Sequence, residues 1–202
     1  MTWIILIITT VVSIVAFSNR ELQHRYLFNP YQIHHRKQHY RWFSHALIHA
    51  NWEHLIFNMI TLFFFGRYVE EIYKYYFGNK GILFFIILYL GGILVSSLPS
   101  YFKHKDNHYY NSLGASGAVS AVLFSSILFD PYSMILVFFI PVPAILFGIV
   151  YLVYSAYMSK RNVDNIGHDA HFWGAVFGFV LPIILNPEIL LIFIRKTFYF
   201  FN

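Results

Sequence analysis

A serine and a histidine in this chain could act as a nucleophile and its base. Ser116 lies in the string GASG, residues 114–117, and begins an apolar stretch that is typical of a helix. The first turn of a helix has free N–H groups and the positive end of the helix dipole, and both stabilise an anion. Ser116 therefore has part of an oxyanion hole beside it, and Gly114 lets other backbone approach closely. A histidine within hydrogen-bond reach would act as its general base.

The candidate base is His171, in the string AHFWGAVFG. His171, Gly174 and Gly178 are spaced i, i+3 and i+7, so they share one face of a helix. A G-x-x-x-G pair allows a neighbouring helix to approach closely. The partner surface on the stretch after Ser116 would be its small residues: Gly117, Ala118 and Ala121. We expect this packing to bring His171 within hydrogen-bond reach of Ser116.

Two further polar residues could stabilise a developing oxyanion. His54 and Asn58 are spaced i and i+4, so they share one face of a predicted helix. Each candidate has a simpler explanation on its own: a back-bonded hydroxyl for Ser116, a packing histidine for His171 and an interhelical hydrogen bond for Asn58. Together they favour hydrolysis by a serine nucleophile, with hydrogen-bond donors in His54, Asn58 and the Ser116 backbone N–H.

The composition is that of a membrane protein with several helical spans. Hydrophobic residues make up 58% of the 202 residues and charged residues 11%, whereas a soluble domain has about 25% charged residues. The apolar runs are long and continuous, unlike the alternating strands of about 10 residues in a porin-like barrel. The lack of cysteine excludes disulfides and a cysteine nucleophile. Juxtamembrane Lys and Arg explain the net charge of +5 better than a nucleic-acid partner does, and no cofactor or metal is expected.

We predict an all-α polytopic membrane protein whose residues 1–202 form a single domain with six transmembrane helices. The predicted spans are residues 2–17, 51–73, 81–99, 115–129, 133–157 and 167–186. The first is interpreted as a retained span, because it lacks the basic region and cleavage site of a signal peptide. The helix from Ser116 to Phe129, about 21 Å long at ~1.5 Å per residue, is shorter than the ~30 Å hydrocarbon core. It could therefore begin below the membrane surface, at the floor of a cavity that water enters.

Three other segments carry predictions. Residues 18–50 are too polar to span, and we predict a loop that is partly embedded in the membrane. Pro141 and Pro143 fall inside the predicted fifth span, where they should kink or loosen the helix. The tail, residues 187–202, is mostly apolar with two basic residues, and it would lie in the interface or pack on the bundle.

These residues together resemble the rhomboid family of intramembrane serine proteases. The resemblance covers about residues 41–178 and fits a six-span bacterial core, with three family motifs on the second, fourth and sixth predicted spans. H-x-x-x-x-H-x-x-x-N appears as His49, His54 and Asn58; G-x-S-G as Gly114, Ser116 and Gly117; A-H-x-x-G-x-x-x-G as Ala170, His171, Gly174 and Gly178. Each motif alone is modest, but all three in this order are highly specific.

The resemblance implies an intramembrane serine endopeptidase with Ser116 as nucleophile and His171 as base, a dyad without a carboxylate. It also implies that His54, Asn58 and the Ser116 backbone N–H stabilise the oxyanion. The substrates would be single-pass membrane proteins, cut near the top of a transmembrane segment. The expected location is a bacterial inner membrane, with the N-terminus cytoplasmic and the active site facing outward. Three further matches to family positions are interpreted as structural: Arg41, Gly66 and Glu70.

The chain departs from the family pattern beside the base. Bacterial relatives often carry a Tyr one turn after the nucleophile, packed against the catalytic His, and this chain has Ser120 there. The support of the His171 ring is therefore unexplained. Asp169 is close in sequence, but residues two apart on a helix do not face each other, so we do not assign it to a triad.

Charge favours the opposite orientation from the resemblance. The loops on the Ser116 side, residues 18–50, 100–113 and 159–166, hold nine of the 14 Lys and Arg residues. The positive-inside rule would put that side in the cytoplasm. We adopt the outward orientation that the resemblance implies, because the rule describes a long first loop poorly.

Three other functions stay open. A catalytically silent rhomboid-like protein would hold membrane clients without cutting them, although such relatives usually lack the Ser or the His. A metalloprotease or metal transporter could use the 11 histidines, but H-E-x-x-H is absent, and His49 and His54 would point to different faces of a helix. His34, His35 and His39 lie in a polar segment and are expected to be solvated. A channel or transporter would need polar residues along a path, whereas the candidates cluster near one side.

Overall fold

The computed structural model describes residues 1–137, 139–161 and 167–198, and most of these residues are helical. In chain order the helices are α1 (Thr2–Ser18), α2 (Arg20–Tyr26), α3 (Pro30–Arg36), α4 (Arg41–Ser44), α5 (Trp52–Thr61), α6 (Arg67–Phe77), α7 (Gly81–His104), α8 (Ser116–Phe129), α9 (Ala144–Arg161), α10 (His168–Leu185) and α11 (Glu188–Phe198). Most of the predicted loop 159–166 and the end of the tail 187–202 lie outside the described residues.

A helix occurs at each of the six predicted spans. The second span corresponds to α5 and α6, which are joined by a π-helical turn, Leu62–Gly66. Helix α7 folds back against α6, because Gly78 has a φ of +54° and Gly81 packs directly on the backbone of Lys74. Among the described residues, two helical stretches are long and apolar enough to cross a membrane: Trp52–His104, which contains α5 to α7, and α10. Helices α1 and α8 are apolar but shorter, so the count of six spans stays a prediction.

The helix of the predicted fifth span begins later than expected, because its first part is a β-hairpin. β1 (Met134–Val137) pairs antiparallel with β2 (Ile140–Pro143), and α9 begins only at Ala144. Pro141 and Pro143 both lie in β2. Proline has no N–H to donate and clashes inside a helix, whereas an edge strand tolerates it. The prediction of a proline-kinked fifth span is therefore wrong, since the prolines precede the helix.

The polar segment between α1 and α5 is folded into short helices around a buried arginine. Arg41 Nη1 donates to the carbonyl oxygens of Leu27 (2.7 Å) and His24 (3.0 Å). Its Nε donates to Gln38 Oε1 at 2.6 Å. These bonds hold the chain around α2, α3 and α4 together, as we expected for a structural residue.

Gly66 and Glu70 tie α1 to the second predicted span. Glu70 Oε2 accepts hydrogen bonds from the backbone N–H and the hydroxyl of Thr2, both at 2.8 Å. A Cβ on Gly66 would lie 2.9 Å from Thr2 Cγ2, so a glycine is needed for this close approach. Both residues therefore have the structural role that we expected.

Helix α8 lies at the centre of the bundle. All of its residues after Ser116 are buried, and it packs between α7 and α10. At its far end, Lys196 Nζ of α11 donates to the carbonyl oxygen of Phe129 at 2.7 Å, where a cation also complements the helix dipole. The tail therefore packs on the bundle, which is one of the two arrangements predicted for it.

Candidate active site

Ser116 is the first residue of α8, and neighbouring histidines hold the backbone before it. Gly114 has a φ of +117°, a conformation that residues with a Cβ rarely adopt. Its N–H donates to the carbonyl oxygen of His45 at 2.9 Å, and the Ala115 N–H donates to His49 Nε2 at 3.4 Å. Ser116 is partly exposed, whereas the residues on either side of it are buried. The free N–H groups of the first turn therefore lie beside a partly exposed serine.

Helix α10 packs on this end of α8 through its glycines, as predicted. A Cβ on Gly174 would collide with the carbonyl oxygen of Gly117, and a Cβ on Gly178 would collide with that of Ala121. The two backbones are therefore in direct contact over a full helical turn. The predicted pairing of the G-x-x-x-G face with the small residues of α8 is confirmed.

This packing determines the position of His171 along the axis of the helix bundle. Ala170 and Gly174, which flank His171 on α10, both have backbone neighbours at Gly117. His171 is therefore at the level of Ser116, across the α8–α10 contact. The backbone contact brings the start of α8 and the first turns of α10 together, which is the arrangement that a Ser116–His171 pair requires.

A tyrosine from α9 lies beside the histidine ring. The rings of Tyr151 and His171 have centroids 6.1 Å apart and planes inclined by 26°. The Tyr151 hydroxyl lies 2.6 Å from Ser120 Oγ, one turn after Ser116 on α8. In this chain the aromatic ring beside the histidine comes from α9 and not from the helix that Ser116 begins. Its hydroxyl is held by Ser120, the residue at the position where relatives often carry the Tyr. Sequence analysis missed Tyr151, because it belongs to no motif and is one of 16 tyrosines.

His54 lies against the loop before the serine. A Cβ on Gly114 would be 2.5 Å from His54 Cε1 and 2.8 Å from its Nε2, so only glycine fits beside this ring. The buried Asn58 donates one amide hydrogen to the carbonyl oxygen of His54 at 2.8 Å. An Asn side chain has two amide hydrogens, so this bond leaves the second one. The structure therefore brings His54 to the Ser116 loop, while Asn58 is bonded within its own helix.

The predicted separation of His49 and His54 is wrong. Their ring centroids are 4.9 Å apart, because His49 precedes α5 and helical spacing does not apply to it. Burial, followed by the neighbouring His54, lowers the pKa of His49 to about 3, and burial lowers the pKa of His45 to about 4. Both rings are neutral at pH 7, so neither brings a positive charge to the loop.

Asp169 has partners of its own at the start of α10. Its Oδ2 accepts a hydrogen bond from Ser100 Oγ at 2.5 Å, and its Oδ1 accepts one from the Ala170 N–H at 2.8 Å. Ser100 in turn accepts a hydrogen bond from the Tyr110 hydroxyl at 3.1 Å. The carboxylate therefore anchors α10 to α7, in agreement with its exclusion from a triad.

One group of side chains in the described part of the chain has metal-ligand geometry, and it lies on α3 and the segment after α7: His34, His35 and Asp106. His35 Nε2 lies 3.0 Å from Asp106 Oδ1, and His34 Nδ1 lies 3.0 Å from the Tyr101 hydroxyl. His35 is exposed, as predicted, and His34 is half-buried. These contacts explain the group as a link between α3 and the α7 end.

Residues 36–188 match the family model of the Rhomboid domain. The chain belongs to the rhomboid family. This rhomboid chain is 33% identical over 146 residues to "RHOMBOID-like protein 12, mitochondrial" of Arabidopsis thaliana, a match that covers 64% of the chain and 41% of that protein. It is 27% identical over 148 residues to "Putative rhomboid protease YdcA" of Bacillus subtilis (strain 168), which covers 72% of the chain and 66% of that protein. The rhomboid chain thus spans less than two thirds of the length of either relative.

The family assignment confirms the resemblance that the three motifs indicated. The chain is a mostly helical, membrane-embedded rhomboid domain. One relative carries the word protease in its name, which points to proteolysis as the class of chemistry to test.

Proposed function

We propose that this rhomboid protein is an intramembrane serine endopeptidase that uses a Ser116–His171 dyad. The observation that carries the proposal is the contact of α10 with the start of α8, where Gly174 meets Gly117. This contact supports the proposal because it packs α10, which carries the candidate base, against α8, which begins with the candidate nucleophile. A nucleophile, a base and free N–H groups are sufficient parts for acyl transfer.

In the proposed reaction, Ser116 Oγ attacks the scissile carbonyl carbon while His171 takes the hydroxyl proton. The oxyanion of the tetrahedral intermediate accepts hydrogen bonds from the Ser116 N–H, His54 and the free amide hydrogen of Asn58. His171 then gives its proton to the leaving amine. A water that loses a proton to His171 attacks the acyl-enzyme, and Ser116 is released with its proton restored. Gly114 belongs to this site because its lack of a Cβ lets the His54 ring approach.

The proposal includes six transmembrane helices: α1, α5 with α6, α7, α8, α9 and α10. Helix α8 has 14 residues, about 21 Å at ~1.5 Å per residue, against a hydrocarbon core of ~30 Å. If its far end lies near one surface, Ser116 lies below the other surface, where a water-filled cavity would supply the hydrolytic water. The segment between α1 and α5 is then partly embedded around this cavity.

We place the protein in a bacterial inner membrane, with its N-terminus cytoplasmic and the Ser116 side outward. Its substrates would be single-pass transmembrane proteins cut near the top of the span, and its other partner is the lipid bilayer. The chemistry needs no metal or organic cofactor, since the nucleophile and base are side chains of the chain itself.

The test compares the wild type, Ser116→Ala and the control Ser126→Ala in detergent micelles. Ser126 is on the same helix, and its hydroxyl donates to the carbonyl oxygen of Leu123 at 2.6 Å, away from the dyad. We expect a fluorophosphonate probe to label the wild type and Ser126→Ala but not Ser116→Ala. A transmembrane reporter protein should be cut by the same two proteins only.

Cleavage of the reporter by Ser116→Ala would refute the serine mechanism. A folded wild type that is neither labelled nor active, but binds the reporter as tightly as Ser116→Ala does, would support a catalytically silent client-binding protein. Loss of cleavage in the presence of a metal chelator would point instead to metal chemistry.

A further inference from the structure

We propose that Ser13 of α1 is a positioning residue that fixes the proton of His49 and, through it, the backbone before Ser116. The inference rests on the proposed function for its catalytic consequence. Its structural part, the position of one proton, can be tested whether or not the protein cuts substrates.

The three groups form a chain of contacts between α1 and the start of α8. Ser13 Oγ donates to the carbonyl oxygen of Leu47 at 2.9 Å and lies 3.0 Å from His49 Nδ1. On the other side of the ring, His49 Nε2 lies 3.4 Å from the Ala115 backbone nitrogen. Ser13 and His49 are both fully buried, so water cannot replace these partners.

Counting hydrogens determines which ring nitrogen of His49 carries its proton. A serine hydroxyl has one hydrogen, and the Leu47 carbonyl oxygen can only accept, so that hydrogen points at Leu47. At His49 the Ser13 oxygen must therefore be the acceptor, and Nδ1 must carry the hydrogen. A neutral imidazole protonated at Nδ1 has a lone pair at Nε2, which is what the Ala115 N–H requires. Ser13 therefore selects the one neutral form of His49 that can hold Ala115.

The charged form of His49 does not fit this site. A protonated ring would have hydrogens on both nitrogens, and the Nε2 hydrogen would face the Ala115 N–H. Burial also disfavours the charge. A charge on the His54 ring, whose centroid is 4.9 Å away, would disfavour it further.

The Ala115 N–H matters because Ala115 leads directly into Ser116, the first residue of α8. Ala115 is the residue before the helix and cannot accept a hydrogen bond with its side chain. His49 binds the Ala115 N–H, and the His45 carbonyl binds the Gly114 N–H. These two bonds fix the peptide planes that lead into Ser116. The direction of the Ser116 N–H and hydroxyl therefore depends on a hydroxyl about 100 residues earlier in the chain.

The experiment measures the proton directly and activity separately. The wild type, Ser13→Ala and Ser13→Thr are labelled with ¹⁵N-histidine in detergent micelles, and the His49 signals are assigned by their loss in His49→Gln. The ring ¹⁵N shifts distinguish protonation at Nδ1 from protonation at Nε2. The control is Thr10→Ala, which removes a half-buried hydroxyl one turn away on the same helix. Cleavage of a transmembrane reporter is measured for the same proteins.

We expect His49 to be protonated at Nδ1 in the wild type and in Ser13→Thr, and to be a mixture of the two neutral forms in Ser13→Ala. In Ser13→Ala, kcat should fall on the order of tenfold with little change in KM, less than the 10²–10³ seen for direct loss of an oxyanion donor. Ser13→Thr should keep a kcat close to that of the wild type. Thr10→Ala should change neither the proton position of His49 nor kcat.

A wild-type His49 protonated at Nε2 would overturn the inference, even if Ser13→Ala failed to fold. A proton shift in Ser13→Ala with unchanged kcat would also overturn the positioning role. If the wild type cuts no reporter at all, the proposed function fails, while the ¹⁵N shifts still decide the role of Ser13.

Discussion

Loss of either hydroxyl in the Ser120–Tyr151 pair is expected to destabilise the protein at least as much as loss of both. The two oxygens are 2.6 Å apart, and Ser120 is buried in the centre of the bundle. Ser120→Ala leaves the tyrosine hydroxyl without its partner, and Tyr151→Phe does the same to the serine. An unsatisfied buried hydroxyl costs about 1–3 kcal/mol, whereas removal of both partners is close to neutral. Each single variant should therefore lower the free energy of unfolding by about 1–3 kcal/mol, and the double variant by no more than either.

The same pair should also affect catalysis, because Tyr151 is the ring beside His171. Tyr151→Phe keeps that ring and should change kcat modestly, whereas Tyr151→Leu removes the ring face and should lower kcat further. KM should change little in both, since the loss is in the placement of the base.

The measurements are SDS titration of unfolding in mixed micelles and steady-state cleavage of a transmembrane reporter. Tyr157→Leu is the matched control, because Tyr157 is on the same helix, is exposed, and has its ring 4.6 Å from the Arg161 guanidinium carbon. Strictly additive losses in Ser120→Ala and Tyr151→Phe would show that the hydroxyls act independently. A wild-type kcat in Tyr151→Leu would show that the ring does not hold the proposed base.

Three further outcomes follow from the structure. Gly178→Val should abolish activity and lower the free energy of unfolding by about 3 kcal/mol or more, because its Cβ would collide with the Ala121 carbonyl; a stable, inactive variant would contradict this packing account. Asn58→Ala should lower kcat by at most about 10²–10³, less than Ser116→Ala, since other donors remain; equal losses would argue against redundancy. Folding lowers the pKa of His49 from 6.5 to about 3, so its contribution to stability is present above pH 6.5 and is lost as the pH falls towards 3. The thermal unfolding temperature should therefore be lower at pH 4.5 than at pH 7.5, and equal temperatures would count against this account.

The parts of this fold that could be predicted from the sequence are those that a short string specifies by itself. The spacing of Gly174 and Gly178 is a property of one helix, and it predicted the contact with α8 before any other element was known. The position of Ser116 at a helix start followed in the same way from Gly114, which marks the end of a turn, and the apolar run after it. Local geometry determines such features, so they can be predicted without knowledge of the tertiary structure.

The errors arose where helical spacing was assumed for residues that lie outside a helix. The hairpin that contains Pro141 and Pro143 was predicted as helix, because a short apolar run is compatible with both structures. His49 and His54 were separated on helical spacing, although one of them precedes the helix. In both cases the decisive information was where an element begins, which is the least reliable feature of a sequence pattern.

The residues that lie around the proposed dyad could not be predicted, for a physical reason. A nucleophile or an oxyanion donor must be placed by a particular backbone, so it lies in a recognisable string. A supporting group needs only a ring or a hydroxyl at the right point, and any packed element can provide it. Ser120 and Tyr151 illustrate this, because the ring that relatives often carry on the nucleophile's helix comes here from α9. Ser13 provides a hydroxyl from α1 in the same way. The chain has many serines and tyrosines, and nothing in the sequence distinguishes Ser13 or Tyr151 from one that only packs.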